Sequence, residues 1–600
     1  MRAETRQERG PNTTPSDPRG SKEALSERPL VRSGFVTAIA CGLIAGVYVI
    51  AGQLGFNPTD DGYILAQSYR VLHGQIPHRD FISVRPAGSP LFHTLDFLLP
   101  MPLLDASRLV TTIEMVLTAL LWGCVIFRRW PNRWRVWEGI AVAASALVSI
   151  HAFPLMDWHT VDGLLFVSLG LALLFNSKRA TFGLLILGAS IVFKQSFFLA
   201  PIIGIVIVTM RASSGERSKA AIRSLLLAAI PGAAYLIVML VLGALPSFVG
   251  QMVAANADAF TGHIFKEMLV PSGLAVGAGV VALLVGLTVC DSRQSRLVGT
   301  LVRSVITLFV LGIALQQHLE IEGTWAIRLE EIAGIVVAWG MIIRRELDWP
   351  GIALLAVGWM TSLSWGYINP NLIGGALGLL AIQRVWFSVE WQTGSKNRQW
   401  DRRNMVVTIV ASVVAFSVIT AQWIDTRHTQ IYRDTSIGQL TFHLDRLSPD
   451  FGSVRTNQST GTYLEDIKIC VERMPAHYVA VLPDNPGIYP LFHLDDPFPL
   501  DWILPNELAS DGARIIQTAK ALHRQGDYLV LFQTQEVSGL ANEGLNLSGS
   551  RILSHHLFGG SGVSKVALKN DLVALKNDLD GRQRRCGPFV GVYQPQPASK

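Results

Sequence analysis

Phe35 to Leu54 reads FVTAIACGLIAGVYVIAGQL, twenty residues without a charge. An α-helix of about 20 apolar residues is what crosses the hydrocarbon core of a bilayer. The run follows residues 1–32, a polar tail rich in Arg, Glu, Ser and Pro that reads as disordered and cytoplasmic. An apolar run placed after so long a tail reads as a retained anchor rather than a cleaved leader. Similar runs recur at about 107–127, 137–154, 161–176, 181–195, 196–210, 222–243, 270–290, 298–317, 330–343, 349–366, 371–388 and 405–423. Together they predict a mainly α polytopic membrane protein of about 13 transmembrane helices, spanning 33–423. Composition agrees. Of the 600 residues, 50% are hydrophobic and only 16% charged, where a soluble chain carries about a quarter.

Charge between the runs predicts orientation. Arg128, Arg129, Arg133 and Arg135, then Lys178 and Arg179, then Arg211, Arg217 and Lys219, fall in alternate loops. Arg293 and Arg296, Arg344 and Arg345, and Lys396, Arg398, Arg402 and Arg403 continue the series. Basic loops face the cytoplasm, so the N-terminus is expected inside. The alternation requires 181–210 to be a hairpin of two short passes turning near Lys194, and 86–102 to lie outside without spanning. Residues 424–600 are then expected outside the cell, in the inner (cytoplasmic) membrane's outer space. The net charge of +6 follows this loop pattern, so nucleic acid is not an expected partner.

Residues 424–600 read as a small extracytoplasmic α/β domain. Tyr478–Leu482 and Tyr528–Phe532 are short β-rich runs, while 464–474 and 512–524 have helical spacing. Cys470 and Cys586 fall in this polar part and can pair in an oxidising compartment. Cys41, Cys124 and Cys290 lie in apolar runs and read as core residues. The heptad VALKNDL at 566–572 recurs at 573–579, a local duplication on a surface helix.

The first outer loop, 55–106, breaks the charge rule by carrying Arg70, Arg79 and Arg85, with Arg108 just beyond it. Within it, 57–90 reads NPTDDGYILAQSYRVLHGQIPHRDFISVRPAGSP. After Asp60 and Asp61, the spacing of Ile64, Leu65, Tyr69, Val71 and Leu72 predicts an amphipathic helix along the membrane interface. The acidic pair has two readings. Asp60 can cap that helix while Asp61 favours its dipole. Alternatively, one carboxylate is a general base whose burial near lipid raises its pKa. The loop arginines suit either a phosphate at the outer surface or anionic headgroups.

The order of these elements resembles the first outer loop of GT-C glycosyltransferases. The similar branch is that of the protein-mannosyltransferase and aminoarabinose-transferase-like membrane enzymes. The resemblance rests on Asp60-Asp61, Tyr63, Leu72-His73-Gly74-Gln75-Ile76-Pro77, Arg79-Asp80-Phe81 and Pro86-Ala87-Gly88-Ser89-Pro90. Phe193-Lys194-Gln195 and the polar domain with Val481-Leu482-Pro483 are also similar to that branch. It implies transfer of a sugar from a polyprenyl-phosphate donor to a lipid, glycan or protein acceptor hydroxyl, with inversion. In such families the first-loop acid activates the acceptor. Asp60 matches that position best, and Asp61 stands where relatives commonly carry Glu, so the two roles are exchangeable. Arg79, Arg85 and Lys194 are the cations available for the departing phosphate.

A second cluster, MDWHTVD at 156–162, offers Asp157, His159 and Asp162 to substrate or to a divalent ion such as Mg2+ or Mn2+. The alternative is an interfacial anchor through Trp158 with an aspartate cap. Glu320/Glu322 and Glu330/Glu331 assign to nothing, and 367–371, YINPN, reads as a polar outer turn. No Walker phosphate loop, dinucleotide fingerprint, zinc pattern or GxSxG elbow is present. Two rivals to the transferase remain, a transporter or flippase of lipid-linked saccharides and a non-catalytic assembly factor.

Overall fold

The computed structural model describes residues 29–596 apart from 152–153, 177–179, 255–262, 293–295, 317–323, 364–368, 393–401, 484, 504–506, 510, 534–578 and 580. Most of the expected tail, Lys178, Arg179, Arg293, Lys396, Arg398, Glu320, Glu322, Tyr367 and most of the heptad repeat lie outside the described residues. Each of the thirteen apolar runs is helical over most of its described residues. Seven helices among the described residues have the length and apolar character to cross a membrane. These are Gly34–Ala51, Leu103–Phe127, His159–Asn176, Ser214–Val241, Pro271–Cys290, Leu297–Leu315 and Met405–Thr429. Val136–Ile150, Ala180–Val192, Gln195–Arg211 and Asn371–Phe387 are shorter apolar helices. Leu225, Ile237, Leu301, Leu308, Val406 and Val414 point outward and exposed, as lipid-facing residues do.

The C-terminal region adds two sheets. β1 (Phe442–His443) pairs antiparallel with β2 (Arg455–Thr456). β3 (Tyr478–Leu482), β4 (Tyr528–Gln533), β5 (Arg582–Cys586) and β6 (Phe589–Gln594) form a second sheet in the order β3-β4-β6-β5. β3 and β4 run parallel, a connection that needs a crossover; the helix Gly512–Gln525 lies within it. The continuous apolar runs VAVL and LVLF are buried on both faces, the pattern of a central parallel pair. Period-two alternation splits them. Val479, Val481, Leu529 and Leu531 pack with Ile467 and Cys470 of the helix Gln458–Arg473. Ala480, Leu482, Val530 and Phe532 face the other way, joining Ala519 and Leu522 in a core continuous with the membrane helices. Cys470 and Cys586 are disulfide-bonded across 116 residues of chain.

The first loop is where the two parts meet. Asn57 begins a turn in which its Oδ1 accepts from the N–H groups of Thr59 and Asp60 at 2.9 and 3.1 Å. The Asp61 carboxylate returns to accept the Asn57 N–H at 2.7 Å. Gly62 then takes φ +84° ahead of the helix Tyr63–Leu72. A β-carbon on Gly62 would stand 2.4 Å from Gly487 Cα, and one on Gly487 would stand 2.5 Å from the Asp61 carbonyl oxygen. The two backbones touch, and only glycine permits it. The helix ends conventionally, with Gly74 at φ +80° and the N–H of Gln75 returned to Arg70 O.

The expectation of an interfacial helix needs correction. Seven of the ten residues of Tyr63–Leu72 are buried, Gln67, Ser68 and Arg70 among them. The C-terminal domain covers the polar face that was expected to meet water. Arg70 Nε is 2.9 Å from Asp501, and its Nη2 is 2.9 Å from Asp496 and 2.7 Å from Phe498 O. Deleting one partner of such a buried pair costs about 3–5 kcal/mol, because the other charge stays behind. Backbone bonds extend the seam: Ile82 N–H donates to Pro499 O at 2.6 Å, and Arg455 N–H to Gln53 O at 2.9 Å.

Candidate functional site

The acidic pair sits beside a cavity lined by Ala51, Leu54, Gly55, Asp61, Arg108, Pro154, Leu155, Arg427, Ile431 and Tyr432. Both carboxylates are buried, but their surroundings differ. Asp60 Oδ2 accepts from the Tyr432 hydroxyl and the Arg433 guanidinium, each at 2.7 Å. These partners follow the helix Arg402–Thr429 directly. Asp61 lines the cavity itself. Its Oδ1 lies 3.5 Å from Arg108 Nη2, and that guanidinium also donates to Gly52 O and Gly55 O at 2.8 and 2.7 Å. Burial pushes the Asp61 carboxyl above its usual range despite Arg108.

A second polar pocket adjoins through Tyr63. Its ring stacks obliquely on Trp502 at 4.8 Å and meets the His159 ring edge-on at 6.4 Å. Its hydroxyl donates to Glu507 at 3.0 Å, and Arg85 Nη1 is 2.9 Å from the same carboxylate oxygen. Lys194, in the turn between the helices Ala180–Val192 and Gln195–Arg211, is buried. Its Nζ donates to Thr160 Oγ1 at 2.8 Å, and no carboxylate partners it among the described residues. Burial, with Arg85 nearby, pushes its pKa well down. Neither ring nitrogen of buried His159 has a side-chain hydrogen-bond partner among the described residues. His159 and Thr160 open the helix His159–Asn176, whose positive end adds to the pocket. A buried lysine, the His159 imidazole and a helix N-terminus converge here; Asp162 in that helix's first turn is engaged by His93, and no carboxylate pairs with Lys194 among the described residues.

The three first-loop arginines and Arg108 thus divide by partner. Arg70 and Arg85 meet Asp496, Asp501 and Glu507 of the C-terminal domain. Arg108 is held by Asp61 and two backbone carbonyls. The charges of Arg70 and Arg85 are answered by carboxylates more than 400 residues later, a pairing that sequence spacing cannot display. Arg79 is largely exposed and paired with its neighbour Asp80 at 2.9 Å, and no contact joins it to the acidic pair.

The expected set of Asp157, His159 and Asp162 separates. His159 turns to Tyr63, whereas Asp157 and Asp162 converge on His93. His93 Nδ1 is 2.9 Å from Asp96 and 4.0 Å from Asp157, and its Nε2 is 3.3 Å from Asp162. Asp157 also accepts from Ser107 Oγ. Glu114 completes the group. His93, Asp96 and Glu114 were not singled out from the sequence. Glu114 carried a signal, a lone carboxylate inside an apolar run; His93 and Asp96 had only their spacing of three.

No protein-family model matches this chain, and no curated protein is similar to it. Fold and site define it as a mainly helical protein with helices of membrane-spanning length, whose polar α/β part closes over the first loop.

Proposed function

We propose that this chain is a GT-C-type membrane glycosyltransferase, moving a hexosyl or pentosyl unit from a polyprenyl-phosphate donor to an acceptor hydroxyl. The observation that carries the proposal is the buried Lys194 beside His159 at the start of His159–Asn176, with no carboxylate paired to it among the described residues. It lies one aromatic ring away from the loop that holds two carboxylates. In this reading the chain passes the membrane thirteen times from a cytoplasmic N-terminus, and 424–600 lies on the outer face. The Cys470–Cys586 bond supports that side, since such bonds persist in oxidising compartments.

Asp61 is the general base in this proposal, because it lines the cavity and its burial raises its basicity. Asp60, engaged by Tyr432 and Arg433, orients the loop; the roles are exchanged relative to the first-loop match. The acceptor oxygen bonds to the anomeric carbon as its proton passes to Asp61. The bond from that carbon to the phosphate oxygen breaks, and its electron pair leaves on the polyprenyl phosphate. Lys194 and the helix N-terminus stabilise that growing charge. One-step displacement inverts the anomeric centre. No step requires Arg79.

The test is mass spectrometry of envelope glycans and polyprenyl-phosphate sugars from cells with and without the protein. The proposal expects the donor to accumulate and one glycan to lose a sugar when the protein is absent. Asp61→Asn should reproduce the loss, with a rate reduction of about 10^2–10^4-fold, while donor binding persists; the midpoint should fall, because buried Arg108 loses its carboxylate. Unchanged pools in both strains would end the transferase reading.

A further inference from the structure

We infer that His93, Glu114 and Asp162 form a binding site for a first-row divalent metal ion, Mn2+ or Zn2+, between the first loop and two membrane helices. The site is independent of the transferase reading. His93 opens the 3-10 turn His93–Leu98, Glu114 lies within Leu103–Phe127, and Asp162 lies in the first turn of His159–Asn176. All three are at most 2% exposed. One ligand atom from each lies within 4.8 Å of the others. Around a shared ion at about 2.1 Å, ligand atoms stand roughly 3–3.5 Å apart. A movement of about an ångström therefore closes the set.

Two further observations point to a cation. Both Glu114 carboxylate oxygens and Asp162 Oδ2 are buried without a hydrogen-bond partner. Buried polar groups are normally satisfied, and two carboxylates this close need a shared proton or a cation between them. The imidazole is also set for ligation. His93 Nδ1 is 2.9 Å from Asp96 Oδ2 and Nε2 is 3.3 Å from Asp162 Oδ1, so with the Nδ1 N–H held by Asp96 a metal ion would take the place of the Nε2 proton. A carboxylate behind a histidine is how metal-ligating imidazoles are oriented. The opposite grouping of His93 with Asp96 and Asp157 fits less well, because Asp157 is engaged by Ser107 whereas both Glu114 oxygens lack a hydrogen-bond partner among the described residues.

The donor set selects the ion class. One imidazole nitrogen with two carboxylates suits Mn2+ or Zn2+, whereas Ca2+ and Mg2+ favour all-oxygen shells. Two carboxylates also neutralise one dication inside the protein. A metal here would pin the 88–98 segment of the first loop to Leu103–Phe127 and His159–Asn176.

The experiment uses the full chain in nanodiscs, stripped with chelator and titrated with MnCl2 or ZnCl2. Bound Mn2+ is read by loss of the aqueous paramagnetic resonance signal, bound Zn2+ by elemental analysis after dialysis. The wild type should retain one equivalent of one of these ions and gain thermal midpoint on loading. Glu114→Gln and Asp162→Asn should lose it, and Asp96→Asn, a positioning residue, should weaken affinity about 10–100-fold. If the wild type binds neither ion at millimolar concentration and its midpoint does not move, the cluster shares protons instead and the inference fails. Equal binding by wild type and folded Glu114→Gln overturns it as well. Should both ligand variants fail to fold, the wild-type titration and Asp96→Asn still decide between these outcomes.

Discussion

Replacing Lys194 with Met separates the cost of a buried charge from its use. The ammonium is 6% exposed, makes one hydrogen bond, to Thr160, and has no carboxylate beside it among the described residues. Removing an ammonium from water is unfavourable by several kcal/mol unless it is paired. One neutral hydrogen bond returns only about 0.5–1.5 kcal/mol. Methionine matches the stem in length and is easily packed. Lys194→Met should therefore leave the thermal midpoint unchanged or raise it. Donor binding should move the other way. A charge-assisted hydrogen bond to phosphate contributes about 1.5–3 kcal/mol, which at 1.4 kcal/mol per decade is a loss of about 10- to 150-fold in affinity. The assay pairs a tryptophan-fluorescence melt with binding of polyprenyl phosphate, both in nanodiscs. A variant that melts lower yet binds polyprenyl phosphate as tightly as the wild type would refute the reasoning, because Lys194 would then be structural.

Three further outcomes follow from the same geometry. Because burial lowers the Lys194 pKa in the free protein and a phosphate restores the charged form, donor binding takes up a proton; affinity should fall as pH rises through the free-state pKa, by at most tenfold per pH unit, and a flat profile would exclude the linkage. Gly487→Ala places a β-carbon 2.5 Å from the Asp61 carbonyl oxygen, so the first loop must shift; overpacking of this kind typically costs about 1–3 kcal/mol, read as a lower midpoint together with slower transfer, whereas Gly438→Ala, which meets nothing within 4 Å, should be silent. Cys470→Ser opens a loop of 116 residues and should destabilise the C-terminal domain by about 2–5 kcal/mol, seen as an earlier melt that reductant also produces in the wild type but not in the variant.

Much of the architecture was legible along the chain. Spanning helices satisfy their own backbone hydrogen bonds and need only a length of apolar sequence, so the apolar helices, seven of them of membrane-spanning length among the described residues, could be located without knowing their neighbours. The β3 and β4 runs were equally local, whereas the pairing of the two cysteines, 116 residues apart, was expected from their place in the polar part alone. The acidic pair and Lys194 stood out because ionisable groups beside apolar runs are expensive.

Partnership was another matter. That Arg70 and Arg85 meet Asp496, Asp501 and Glu507, that the polar face of Tyr63–Leu72 is covered rather than wet, and that His159 turns from Asp162 to Tyr63 all depend on how the C-terminal domain docks. His93, Asp96 and Glu114 met Asp157 and Asp162 only once three helical segments had packed. Local order is set by interactions a few residues apart, which the sequence displays directly. A buried charge finds its counterpart through space, and the identity of that counterpart is a property of the packed chain alone.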